Sequence, residues 1–149
     1  MKKLIKLRPH HLICLSRSYS KRGGWYNQKL FRYANKICLI FENKPELKIR
    51  IVKKCDDLCK KCPNIKKGIC EKRLKINYWI IVMDNKVLKK LKIKENSTYK
   101  IKYLFKRVLQ NISNKDLKDI CYGCESLPYC LKEGLNKKIV FITKKEKLR

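Results

Sequence analysis

The segment CDDLCKKCPN, at positions 55–64, is the densest group of thiols in the chain, and Cys70 follows it closely. A second block, CYGC at positions 121–124, is followed by Cys130. Both blocks therefore contain a C-x2-C unit and a further cysteine. The tight turn of a C-x2-C unit brings two sulfurs to one side, where backbone N–H groups stabilise their negative charge. The pattern therefore indicates a bound metal.

The chain of 149 residues is long enough for one hydrophobic core and predicts a single domain, residues 1–149. Its first residues, MKKLIKLR, begin like an export signal, but RPHH at positions 8–11 interrupts the apolar stretch. No apolar run approaches the length that spans a membrane. We therefore expect a soluble, cytoplasmic protein with no membrane contact. Thiols stay reduced there, and nine cysteines cannot all pair, so metal ligation explains them better than disulfides do.

The chain carries 40 Lys and Arg residues against 12 Asp and Glu residues, a net charge of +28. Such a charge is typical of proteins that bind nucleic acid or another polyanion. However, the basic residues are scattered along the whole chain and are mostly lysine, whereas arginine is preferred for bidentate recognition. A compositional bias towards Lys, Asn and Ile is the alternative interpretation. In either case we expect non-specific attraction to nucleic acid at low salt.

Hydrophobic periodicity predicts an α+β fold, a small helix-dominated domain with a few short strands and cysteine-rich metal-binding loops. Helical spacing is clearest at positions 101–112 and also present at 25–41 and 71–93, with a buried strand at 78–83 as the alternative within the last of these. Residues 95–98 are expected to cap the following helix, and Asn114 to cap a short helical turn. The predicted strands are residues 3–7, 47–52 and 137–143, and residues 144–149 are expected to form a frayed basic tail.

A further short helix is predicted directly after the first strand. Pro9 suits the first turn of a helix, where its missing N–H would be unpaired in any case. On such a helix His10 and Cys14 lie four residues apart and share one face, as do His11 and Cys14 at a spacing of three. One short element therefore presents several potential metal ligands. A nucleophilic pair of Cys14 with either histidine is an alternative.

Three features favour an iron–sulfur site over a zinc site. Neither cysteine block has a histidine nearby, although zinc sites often use one. Pro63 directly follows a cysteine of the first block, and Pro128 lies close to one of the second, as is common at clusters. The interval from Cys62 to Cys121 is far longer than in a compact zinc ribbon. Zinc remains the alternative metal.

Positions 55–62 also contain the C-x3-C-x2-C spacing of radical S-adenosylmethionine enzymes. The chain is too short for the barrel of those enzymes, and no Gly-rich cofactor segment follows. Cys55 is therefore interpreted as a neighbour of the metal site. Asp56 and Asp57 are interpreted as caps of a turn that leads into Cys59.

The chain resembles a family of small bacterial and archaeal proteins of unknown function described as iron–sulfur-binding. Three motifs carry the resemblance: LRPHHLIC at positions 7–14, DDLCKKCPN at 56–64 and C-x2-C-x5-C at 121–130. An R-P-H-H-L-x-C start is characteristic of that family. The resemblance covers nearly the whole chain but implies no reaction or substrate. It also implies that Cys38 and Cys55 are additions of this sequence, and Cys38, on an apolar helical stripe, is interpreted as a core residue. The motif cysteines that the resemblance implies are Cys14, Cys59, Cys62, Cys70, Cys121, Cys124 and Cys130.

From these residues we predict an iron–sulfur cluster of the [4Fe–4S] type, held by Cys59, Cys62 and Cys70. The fourth ligand is expected from the N-terminal cysteine or the second block. Seven cysteines exceed the four of one cluster and fall one short of two, so His10, His11 or an external ligand are candidates for the remaining position. Electron transfer with an acidic redox partner protein is the expected role. A zinc-stabilised nucleic-acid-binding module is the alternative.

Overall fold

The computed structural model of the protein describes residues 4–17, 28–61, 65–66, 69–70, 76–124 and 127–144. Helices dominate this part of the chain, and the expected α+β class is confirmed. The strands are β1 (Ile5–Leu7), β2 (Lys48–Ile51), β3 (Ile65–Lys66), β4 (Ile69–Cys70) and β5 (Thr98–Lys100). The helices are α1 (Pro9–Ser16), α2 (Gln28–Asn43), α3 (Ile76–Leu91), α4 (Ile101–Asn111), α5 (Asn114–Ile120), α6 (Leu127–Glu133) and α7 (Lys137–Lys144).

A three-stranded sheet in the order β1-β2-β5 forms one side of the core. β1 pairs with β2 in parallel, with Leu7 opposite Ile51, and β2 pairs with β5 in the antiparallel sense. Along β2 the side chains of Ile49 and Ile51 are buried while the intervening Arg50 is exposed. This alternation is that of a sheet with one face against the core and the other against solvent.

The helices pack over the buried face of the sheet around α1. Six of its eight residues are buried, and it contacts α3, α4 and α7. From Leu30 to Phe41, α2 buries the predicted stripe, whereas residues 25–27, where it was expected to begin, lie outside the described part. The Phe41 ring lies 6.0 Å from that of Phe105 on α4. A short 3₁₀ turn, Cys59–Lys61, packs against α2. These contacts hold the first turn of α1 next to the segment that carries the first cysteine block.

The expectation of a C-terminal strand is wrong, because residues 137–144 form helix α7. The run of β-branched residues resembled a buried strand, and a short apolar run cannot be distinguished from a buried helix by periodicity. In the structure Ile139, Ile142 and Thr143 are buried at helical spacing, and α7 packs against α2 and α4. Tertiary packing therefore overrides the local strand preference of these residues. Residues 145–149 lie outside the described part.

The helix expected within residues 71–93 is confirmed, since Ile76–Leu91 is helix α3, and the strand alternative for residues 78–83 is wrong. Two caps differ from expectation. Residues that were expected to cap α4 lead instead into β5, and α4 starts after Lys100 without a side-chain cap. The cap of α5 is Ser113 rather than Asn114, with a reciprocal capping box to Asp116. No helix in the described ranges is long and apolar enough to cross a membrane.

Alanine substitutions along α7 test its helical register. Ile142 is fully buried and Phe141 is 46% exposed, so Ile142→Ala should lower the free energy of unfolding by about 2–5 kcal/mol. Phe141→Ala should cost clearly less. In a strand Phe141 would share the buried face with Ile139 and Thr143, so a larger loss for Phe141→Ala in urea unfolding would contradict the helix.

Candidate metal centre

The first turn of α1 places two histidines at the centre of a buried polar network. Arg8 stands at the N-cap in an extended conformation, and Pro9 opens the helix as predicted. His10 is buried and His11 is half-buried. Their rings lie 4.2 Å apart between centroids, at an interplanar angle of 53°. Because they are adjacent in sequence, the two imidazoles leave the helix in different directions and meet different carboxylates.

The buried carboxylate of Asp56 joins this turn to the first cysteine block. Its Oδ2 accepts hydrogen bonds from the Arg8 backbone N–H at 2.6 Å and from His11 Nδ1 at 2.5 Å. Its Oδ1 accepts from the Cys59 backbone N–H at 2.9 Å. The predicted capping role of Asp56 before Cys59 is therefore confirmed, and its second oxygen has a further role that the sequence did not indicate.

Asp56 is ionised in spite of its burial. Burial raises the pKa of this carboxyl group, but the charge of His11 and the hydrogen bonds from His11, Arg8 and Cys59 lower it further, to about 2. An ionised carboxylate is only an acceptor, so the hydrogen in the His11 contact is carried by Nδ1. That arrangement leaves Nε2 of His11 as the other ring nitrogen to act as a ligand.

Asp84, on α3, plays the corresponding role for His10. Its Oδ1 accepts from His10 Nδ1 at 2.6 Å and from the His10 backbone N–H at 3.1 Å, and its Oδ2 accepts from Arg8 Nε at 2.8 Å. These contacts lower the pKa of Asp84 although its burial acts in the opposite direction. Burial, followed by the charge of His11, lowers the pKa of His10. His10 is therefore a neutral imidazole that donates through Nδ1.

The two histidines thus share an arrangement that is typical of metal ligands. In metal sites the ligating imidazole commonly donates its other N–H to a carboxylate, which fixes the tautomer and orients the ring. Here Nδ1 of each ring contacts a buried aspartate, and no described residue forms a hydrogen bond with either Nε2 atom. The two carboxylates therefore fix the orientation of both rings.

Cys59 provides a sulfur donor at the same place. Ligand atoms of His11, Asp56 and Cys59 all lie within 4.8 Å of one another. Burial and the charge of Asp56 raise the pKa of the Cys59 thiol, so a metal that binds here must displace its proton. Since both oxygens of Asp56 already accept hydrogen bonds, His11 and Cys59 are the natural donors and Asp56 is their support.

The charges of this network are unequal. Asp56 and Asp84 are both buried and ionised, whereas the Arg8 guanidinium, which contacts Asp84, is the one permanently charged side chain bonded to either of them in the described part of the chain. An uncompensated buried charge is unfavourable. A protonated imidazole or a metal ion beside His11 would supply the missing positive charge.

The other cysteines of the first block are only partly described. Cys62 lies outside the described residues. β3 and β4 form a hairpin in which the backbone of Cys70 pairs with that of Ile65, so the chain returns from Cys70 to within three residues of Cys62. The side chain of Cys70 is not described. Cys55 is half-buried and does not belong to the group formed by Cys59 and its neighbours.

The cysteines outside the first block occupy several helices. Cys14 is half-buried on α1, Cys121 is buried at the end of α5, and Cys130 is buried on α6. Cys124 is half-buried between α5 and α6. Among the described residues none of these four joins the group around Asp56. Their predicted role as ligands stays a prediction.

Cys38 lies in the core, as the sequence predicted. It is 2% exposed on α2 and packs within the main hydrophobic cluster. Burial raises the pKa of its thiol to about 12, so it remains a neutral apolar side chain at physiological pH.

Sequence reasoning missed Asp84 and the part that Arg8 plays. Asp84 is completely buried in α3, between the apolar residues Ile80 and Val87. The sequence did contain one indication of a buried polar contact: a carboxylate within an apolar helix face, in a chain that has only 12 acidic residues. Its partners are 74 and 76 residues away in sequence, so no local pattern could identify them.

Fold and site together define a small α+β protein with a His/Asp/Cys group at the junction of α1 and the first cysteine block. A model of the family described as "Protein of unknown function (DUF1284)" matches residues 25–130, and the chain belongs to this family. The matched range begins after His10 and His11. No curated protein and no solved structure matches the chain.

Replacing Asp56 should destabilise the fold much more than replacing its neighbour. Asp56→Asn leaves three donors facing an uncharged amide that has only one acceptor oxygen, with an expected loss of about 3–5 kcal/mol. Asp57→Asn, whose carboxylate contacts the exposed Lys60, should cost about 1 kcal/mol or less. Urea unfolding of metal-free protein measures both, and equal losses would contradict the role assigned to Asp56. In the wild type this contribution is present above the ordinary pKa of 3.8 and is lost as the pH falls towards 2.

Proposed function

We propose that the protein binds a metal centre between α1 and the first cysteine block, and that this centre is an iron–sulfur cluster of the [4Fe–4S] type with a redox role. The observation that carries the proposal is the convergence of His11 and Cys59 on Asp56, within 4.8 Å. A thiolate and an imidazole held by a buried carboxylate form a donor set that suits iron–sulfur and zinc sites.

The first cysteine block supports a cluster in preference to a single ion. Cys59 lies three residues before Cys62, and the backbone of Cys70 pairs with that of Ile65, which follows Cys62 by three positions in the sequence. His11 or the N-terminal Cys14 would complete a set of four ligands. When bound, such a cluster accepts and donates single electrons, and the protein supplies its orientation, burial and hydrogen bonds.

The residues around the donors would keep the centre ordered and partly shielded from water. Asp56 holds the Cys59 backbone and the His11 ring at once. Asp84 and Arg8 hold the neighbouring His10 ring. These contacts are made by the chain's own residues, so they would orient the donors towards a bound metal.

Metal and sulfide analysis tests this proposal. Protein purified without oxygen should contain iron and acid-labile sulfide in equal amounts and absorb visible light. Cys59→Ala should lose most of the bound iron, whereas Cys38→Ala should retain it, because Cys38 is a core residue. A colourless protein without sulfide, or equal iron loss in the two variants, would contradict a cluster at Cys59.

Zinc with nucleic-acid binding is the second candidate, favoured by the two carboxylate-supported imidazoles and by the net charge of +28. It predicts stoichiometric zinc without sulfide. It also predicts that the protein prefers one nucleic-acid sequence over others and that this preference persists at about 0.15 M salt. Attraction that is equal for all sequences and vanishes at this salt concentration would show that the charge acts only non-specifically.

A further inference from the structure

A cleft between β1 and α2 lies next to the metal-binding segment. Its cavity volume is about 310 Å³, which is at the small end of the range for sites that bind small molecules. Ile5 lines it from β1, and Ile37 and Ile40 line it from α2. Since these side chains are aliphatic, the body of the cleft is suited to an apolar group.

Two charged side chains, Asp57 and Lys36, line the cleft beside Tyr33, and they differ in their availability. Asp57 Oδ2 accepts from the Lys6 backbone N–H at 2.7 Å, and its Oδ1 accepts from Lys60 Nζ at 2.6 Å. Lys36 is exposed at the rim, and no hydrogen bond or ion pair joins it to a described residue. The negative charge of the cleft is therefore already neutralised, whereas the ammonium group of Lys36 is available.

This combination selects one class of ligand. A cationic ligand would need an acceptor, but both oxygens of Asp57 are engaged. A wholly apolar ligand would gain nothing from the ammonium group of Lys36, which is exposed and stays hydrated. A ligand with an apolar body and a single negative group matches both the aliphatic walls and the free ammonium group.

We propose that the cleft binds a short-chain aliphatic carboxylate, with its chain against Ile37 and Ile40 and its carboxylate paired with Lys36. The proposal does not depend on the metal centre. The two positions are nevertheless adjacent, because Asp57 follows Asp56 in the chain and its backbone N–H donates to the Lys6 carbonyl at 3.1 Å. A bound carboxylate would thus contact the strand and the segment that position Cys59.

Calorimetric titration of the full-length protein with hexanoate tests the proposal, with hexylamine and acetate as comparison ligands at equal ionic strength. Hexanoate should bind saturably at one site, and hexylamine should not. Affinity should rise by about fourfold for each CH₂ group added between butanoate and hexanoate, because each added group is buried. This chain-length series requires no variant and therefore does not depend on how well variants fold.

Two matched variants test the role of the lysine. Lys36→Gln should weaken hexanoate binding by about threefold or more, whereas Lys29→Gln, an exposed lysine on the same helix that does not line the cleft, should leave it unchanged. Equal weakening by both variants would show general attraction to a basic chain and overturn the proposal. The proposal would also be overturned if hexanoate binding did not saturate, or if hexylamine bound as tightly as hexanoate.

Discussion

The arrangement of the site depends on the Asp56 carboxylate, because this group accepts hydrogen bonds from three places that surround it. It accepts from the backbone where β1 passes into α1, from the His11 ring, and from the backbone of Cys59. Arg8 lies 48 residues before Asp56 in the sequence, and His11 lies 45 residues before it. Without this carboxylate, nothing else in the described residues would hold the His11 ring against the cysteine block.

The same network also explains why an unusually basic chain buries two acidic side chains. Most of the lysines in the described residues are exposed, and surface pairs such as Lys86 with Asp119 contribute little to stability. Asp56 and Asp84, in contrast, are buried at the first turn of α1. Their burial is costly unless each has partners. Arg8, two histidines and backbone N–H groups provide those partners and thereby orient the imidazoles for a ligand.

Much of the fold could be predicted from the sequence, because its longer helices have a clear apolar stripe. α2 and α4 follow the expected spacing, and Cys38 lies in the core as its position on the stripe indicated. The C-terminal segment was assigned wrongly, because a short run of β-branched residues suits either a strand or a buried helix. Packing against α2 and α4, which no local pattern records, decides in favour of the helix.

The site could be predicted only in part, for a similar reason. The cysteine spacing and the two histidines indicated candidate ligands, which stay a prediction, and the capping role of Asp56 followed from its position before Cys59. Asp84 and His10 are 74 residues apart in the sequence, so no local sequence pattern indicates their contact. Sequence therefore indicated possible ligands, whereas the structure shows which of them a buried carboxylate holds in place.

Anomalous diffraction from crystals of the protein grown without oxygen would test the central claim most directly, since it locates the metal and identifies the element in one measurement. The account predicts a peak at the iron absorption edge within about 2.0–2.3 Å of Cys59 Sγ or His11 Nε2, bond lengths typical of metal–nitrogen and metal–sulfur ligation. A metal bound only by the second cysteine block, with His11 and Cys59 free of it, would contradict the account.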